Sequence, residues 1–148
     1  MKAGNFRVLI PIDFSENSRE AERYALDHFN GQITHLYLLH TYKENTPGSA
    51  PLISLMDILR EKSERLMAQE VQFIRSSMVD DTMEIQTFSR FDGFLEGILD
   101  IKNRFGIDLV VLGTNGHTHP RMELRDDDPG FLLHRLNLPL LLVPKIAN

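Results

Sequence analysis

Three places in this sequence combine residue types and spacing that could do chemistry. The first is Pro11-Ile12-Asp13-Phe14-Ser15, where a carboxylate follows directly on an apolar run. Asp13 there could meet a nucleotide or a cation, or it could brace the turn it sits in. The second is Gly113-Thr114-Asn115-Gly116, again at the end of an apolar run. Glycines at that spacing permit positive φ and close backbone approach to a ligand, as phosphate-binding turns do. The third is His117-Thr118-His119 followed by Asp126-Asp127-Asp128, a set of nitrogen and oxygen donors. A His-x-His pair in a loop orients poorly and no metal-binding spacing supports it, so no metal site is expected. His40 closes a further apolar run and is either a crevice residue or a polar residue meeting water. Gly-x-Ser-x-Gly, the P-loop and His-Glu-x-x-His are all absent, and no histidine is placed by sequence to activate Ser15. No catalytic residue is expected.

The elements that must position these residues alternate regularly. Arg7 to Ile12 is short, apolar and β-branched, the pattern of a strand buried on both faces. Ser15 or Asn17 caps a helix carrying Ala21, Tyr24 and Ala25, which Asn30-Gly31 stops. Ile33 to Tyr42 is a second strand. A loop rich in Pro, Gly and polar residues separates it from one long amphipathic helix, Leu52 to about Met78, with Leu52, Leu55, Leu59, Leu66 or Met67, Val71, Ile74 and Met78 on its apolar side. Thr82 to Phe88 alternates as a strand near a sheet edge, with Met83, Ile85 and Thr87 on its drier face. Asp92 caps a third helix with Leu95, Ile98 and Phe105, ended by Gly106. Ile107 to Leu112 is a strongly buried strand. A short helix near Gly130 to Asn137 leads into a last strand, Leu138 to Val143.

Such alternation predicts right-handed crossovers and an open, doubly wound sheet of five parallel strands between helix layers, a Rossmann-like α/β fold. Ligands of these sheets lie beyond the carboxyl ends of the strands, where strand order reverses. The two most apolar strands, Val8 to Ile12 and Leu109 to Leu112, are the expected central pair. That choice sets Asp13 opposite Gly113 and Gly116.

Composition narrows the function. The 148 residues suit one domain spanning 1–148, and 42% hydrophobic content suffices for a core. Sixteen basic against 21 acidic residues leave a net charge of -5, which argues against gripping nucleic acid. The absence of cysteine removes disulfides, thiolate metal sites and thiol catalysis. No apolar run is long enough to cross a bilayer, and the first residues enter a short strand rather than a signal peptide, so no membrane partner and a cytoplasmic location are expected.

Arg7-Val-Leu-Ile-Pro-Ile-Asp13-Phe-Ser15, Asp108-Leu-Val-Val-Leu-Gly113-Thr-Asn-Gly116 and Leu138-Pro139-Leu-Leu-Leu-Val-Pro144 resemble the universal stress protein family. The resemblance covers essentially the whole chain. It implies an adenine nucleotide alpha hydrolase-like domain that dimerises through its last strand. In one subgroup it also implies ATP bound between the first and fourth strands, with the His40 position close to the adenine.

That subgroup carries Gly-x2-Gly-x9-Gly-(Ser/Thr), whose second half holds phosphates at the start of the last helix. Here Gly113 and Gly116 match the first half, but after the nine residues His117 to Arg125 stand Asp126-Asp127 instead of Gly-Ser. An anion site of bare N–H groups works because nothing negative occupies it. Two like charges about 5 Å apart repel by roughly 3 kcal/mol at an effective dielectric near 20. Asp128 followed by Pro129 also has the favoured order for a helix start. The expectation is a degenerate nucleotide crevice of Pro11, Asp13, His40, Gly113 and Gly116, with Asp126 and Asp127 in place of the phosphate-binding pair and no cofactor. The expected activity is that of a non-enzymatic homodimer, paired through Leu138 to Val143 and acting on an unknown protein partner in a stress response. The alternative is a nucleotide-binding switch or slow ATPase, with magnesium bridging Asp126 to Asp128 and ATP.

Overall fold

The computed structural model describes residues 4–42, 53–77, 82–114 and 134–144. Five strands, β1 (Arg7–Pro11), β2 (His35–Thr41), β3 (Glu84–Arg90), β4 (Leu109–Thr114) and β5 (Leu140–Pro144), form one sheet in the order β3-β2-β1-β4-β5. Every pairing is parallel. Among the described residues, α1 (Glu16–His28), α2 (Ile53–Ser77) and α3 (Phe94–Phe105) connect the first four of them in turn. Residues 134–136 are also helical; residues 130–133 of the expected fourth helix lie outside the described residues. Strand order reverses between β1 and β4, the expected central pair, with Val8 opposite Leu109 and Leu9 opposite Val110.

Alternation along the strands splits the core into two layers. Val8, Ile10, Leu36, Leu38 and Val111 pack beneath Ala21 and Ala25 of α1 and Met67 and Ile74 of α2. Leu9, Tyr37, Leu39, Val110 and Leu112 face the other way, onto Leu95, Ile98 and Ile101 of α3 and onto Leu136. Tyr37, 2% exposed, satisfies its hydroxyl by accepting from Arg7 Nη1 at 2.6 Å. This is the doubly wound arrangement the alternation implied.

Local details differ from expectation for physical reasons. Gly93, not Asp92, is the N-cap of α3, and it makes no side-chain capping bond. Asp92 is drawn away by Arg90, whose Nη2 lies 2.6 Å from its Oδ2. Arg90 also pairs with Asp100, which Arg104 holds from the next turn. Arg90 Nε donates to the same Asp92 Oδ2 at 2.8 Å, and such charge-assisted bonds compete well against the modest gain of a cap. On α2, Leu55 is 37% exposed rather than facing the core. The buried stripe runs instead through Ser63, Met67, Glu70 and Ile74. Thr87 on β3 is also exposed, because β3 is a sheet edge. That edge is polar, with Glu84 and Gln86 turned to solvent. The opposite edge, β5, is apolar, and Leu142 on it is 42% exposed.

Candidate functional site

The carboxyl ends of β1, β2 and β4 meet at one end of the sheet. β1 ends at buried Pro11, and the chain continues in register for one more bond, Ile12 N–H donating to Leu39 O at 2.8 Å. It then turns sharply. Asp13 Oδ1 accepts from Ser15 N–H at 3.0 Å, and Ser15 Oγ accepts from Ser18 N–H at 3.2 Å as the N-cap of α1. Of the two cap candidates the chain uses Ser15. Asp13 thus braces the turn with one oxygen, and the residue itself is exposed at the crevice.

Phe14, between them, has φ 65°, a left-handed conformation that an aromatic residue rarely adopts. The Asx bond of Asp13 and the start of α1 on either side hold it there. In that position the Phe14 ring meets His40 edge-on, with ring centroids 4.6 Å apart. Sequence reasoning passed over Phe14, since no pattern of residue types signals a strained turn of this kind.

His40, near the end of β2, is held from beneath by a chain of hydroxyls. Its Nδ1 lies 2.7 Å from Ser63 Oγ on α2. Ser63 Oγ in turn donates to Ser89 Oγ on β3 at 2.7 Å. The order of donors along this chain of hydroxyls and the imidazole tautomer are set together, since each hydroxyl has one proton to give. Burial is the main influence on the ring and lowers its pKa from the usual histidine range; the Asp13 carboxylate pulls weakly the other way. His40 is therefore a neutral imidazole at neutral pH, with Nδ1 engaged by Ser63. Ser63 and Ser89 were not anticipated, although Ser63 interrupts the apolar stripe of α2 four residues before Met67. A polar residue in such a stripe is a legible sign of a buried polar contact.

Gly113 lies within β4 as the partner of Val143, and it is not among the positive-φ glycines. The expectation that this glycine supplies positive φ is corrected. Its missing side chain serves a close approach instead. A Cβ there would come within 2.7 Å of the Asn17 backbone oxygen, so glycine lets the first turn of α1 rest on β4. Gly116, His117, His119 and the Asp126 to Asp128 cluster lie outside the described residues.

The structure therefore brings together Pro11, Asp13, His40 and Gly113, with Phe14, Ser63 and Ser89 as support. Among the described residues the serine beside His40 is Ser63, which is 1% exposed and bonded to Ser89 as well as to His40. Among the described residues no group of three metal-ligating side chains occurs. Nor is any described helix long and apolar enough to cross a membrane.

A parallel sheet whose order reverses between β1 and β4, with helices packed on both faces, defines a doubly wound, Rossmann-like α/β domain. The model of the universal stress protein family matches residues 4–144, and the chain belongs to that family. A universal stress protein from a Synechocystis strain is 23% identical over 137 residues, covering 93% of this chain and 84% of that one. The structure of universal stress protein UspA from Lactobacillus plantarum superimposes with a TM-score of 0.72 at 18% identity, covering 96% of this chain and 99% of that chain. A universal stress protein from Archaeoglobus fulgidus in complex with dAMP superimposes at 0.62 with 14% identity, covering 93% and 96% of the two chains.

Proposed function

We propose that this chain is a non-enzymatic universal stress module that works as a homodimer through protein contacts and does not hold ATP in the family's manner. The observation that carries the reading is β5. It is an edge strand paired on one side only, and Leu142 stands 42% exposed on it. An apolar edge invites another chain, and two-fold pairing with a second copy covers it without leaving a new edge. With 42% of Leu142 left to cover, its burial contributes about 1 kcal/mol per protomer to such an interface. Sedimentation at micromolar concentration tests this. The expected result is a dimer for the native chain and a monomer for Leu142→Lys; a native monomer overturns it.

The second half of the proposal rests on the sequence, where Asp126 and Asp127 stand in place of the phosphate-binding Gly-Ser. Calorimetry with ATP in the absence of magnesium should give no tight complex.

A second reading is favoured by the Archaeoglobus neighbour in complex with dAMP and by the crevice of Asp13, His40 and Gly113. On that reading the chain is a nucleotide switch or slow ATPase, with magnesium bridging Asp126 to Asp128 and the phosphates. Nucleotide that stays with the protein through purification in magnesium, and is lost in chelator, would select it.

A further inference from the structure

Glu22 on α1 and Glu70 on α2 face each other across the seam between the two helices, away from the crevice. They are 1% and 4% exposed. Glu70 has a cation: Arg19 Nη2 donates to its Oε1 at 2.7 Å and Arg19 Nε to its Oε2 at 3.2 Å. The same guanidinium lies 4.0 Å over the Phe73 ring. Burial works to raise the Glu70 pKa, but the bonds from Arg19 and Glu22 outweigh it and hold the carboxyl below its usual range.

Glu22 has no such partner. No N–H or hydroxyl reaches either of its oxygens among the described residues; what it faces is the Glu70 carboxylate. Burial first, and Glu70 second, push its pKa up to about 10, against the weaker opposing pull of Arg19 and Arg23. Those are the charges that act on it: Arg19 and Arg23 from α1, and Glu70 from α2. Glu22 lines a cavity of about 210 Å³ together with Arg19, Arg23, Asp27, Phe73 and Met83, and the segment entering β2 adds Phe29, Asn30, Gly31 and Ile33 to its wall. Arg19 is committed to Glu70, and Arg23 makes no hydrogen bond to either Glu22 oxygen.

Two buried carboxylates with one guanidinium between them leave one negative charge unbalanced, and the simplest species that balances it is a proton. We propose that Glu22 and Glu70 share one proton across the α1–α2 seam, and that this proton makes the native state tighter as the medium is acidified through neutrality. The protonated Glu22 donates to Glu70, which already accepts from Arg19, and the three side chains tie the middle of α1 to α2.

The sign follows from proton counting. In the unfolded chain Glu22 ionises at its ordinary value, so unfolding near neutrality releases the proton. Raising the pH therefore favours the unfolded state, by up to about tenfold in the folding constant per pH unit. The window runs from the ordinary glutamate pKa of 4.5 up to about 10. His40, held neutral by burial, acts in the opposite sense, but only below its ordinary 6.5. The range from pH 7 to pH 9 therefore isolates the shared proton from His40.

Urea unfolding of the native chain and of Glu22→Gln at pH 7, 8 and 9 tests this. The expected result is that the folding constant of the native chain falls relative to Glu22→Gln by about tenfold per unit. Parallel pH profiles overturn the proposal. Should Glu22→Gln not fold, proton release on unfolding the native chain at pH 8 in weak buffer decides instead. About one proton per chain is expected, and none overturns it.

Discussion

The backbone oxygen of Asn17 fills the space beside Gly113 that any side chain would need, 2.7 Å from where a Cβ would stand. This contact seats α1 on β4 and so fixes the distance between the Asp13 turn and the end of β4. The glycine of the crevice is thus occupied from within the protein before any ligand arrives.

Gly113→Ala should therefore lower stability even without ligand. The new methyl meets backbone, which cannot swing aside as a side chain end can, and overpacking of this kind typically costs about 1–3 kcal/mol. Urea denaturation of the ligand-free protein measures it. An unchanged midpoint would mean that α1 shifts at no cost.

Ser63→Ala removes the hydroxyl between His40 Nδ1 and Ser89 Oγ. A buried polar group left without its partner costs about 1–3 kcal/mol. Ser63→Thr keeps a hydroxyl and should retain more of the stability if the added methyl is accommodated. Equal denaturation midpoints for native and Ser63→Ala would show that the bond contributes nothing.

His40 sets an acid limit. Its folded pKa is lowered by burial, so its contribution is fully present above the ordinary value of 6.5 and is lost as the pH falls from there through the folded value. His40→Gln should flatten the stability profile below pH 6.5 and leave the alkaline side as it was. Proton NMR of the His40 ring provides a second measure, with a midpoint expected below 6.5.

Asp126→Gly with Asp127→Ser restores the two residues that the family's phosphate motif carries. If the acids exclude ATP, a fluorescent ATP analogue should bind the double variant at least tenfold more tightly than the native chain, the gain from removing one repulsion of about 3 kcal/mol even after screening. Equal binding would remove the acids as the cause.

Much of this architecture is legible in the residues. Val8 to Ile12 and Leu109 to Leu112 stand out because central parallel strands are apolar on both faces, and their adjacency locates the crevice. Asp13, Gly113 and His40 follow from that placement alone. Ser63 leaves a trace in the sequence as a polar break in the apolar stripe of α2, but Glu22 and Glu70 leave none, because only three-dimensional packing brings the two carboxylates together. Asp92 illustrates the converse. It has the type and position of a helix cap, but Arg90 two residues earlier binds it instead, a competition no local pattern records. Phe14 needed its backbone conformation to be seen at all.

The two margins of the sheet are unlike. One carries the outward carboxylate of Glu84 and the amide of Gln86; the other presents Leu142. Copies joining margin to margin through their hydrocarbon sides would leave only guarded borders outward, so the association would stop by itself at a pair instead of growing into a ribbon.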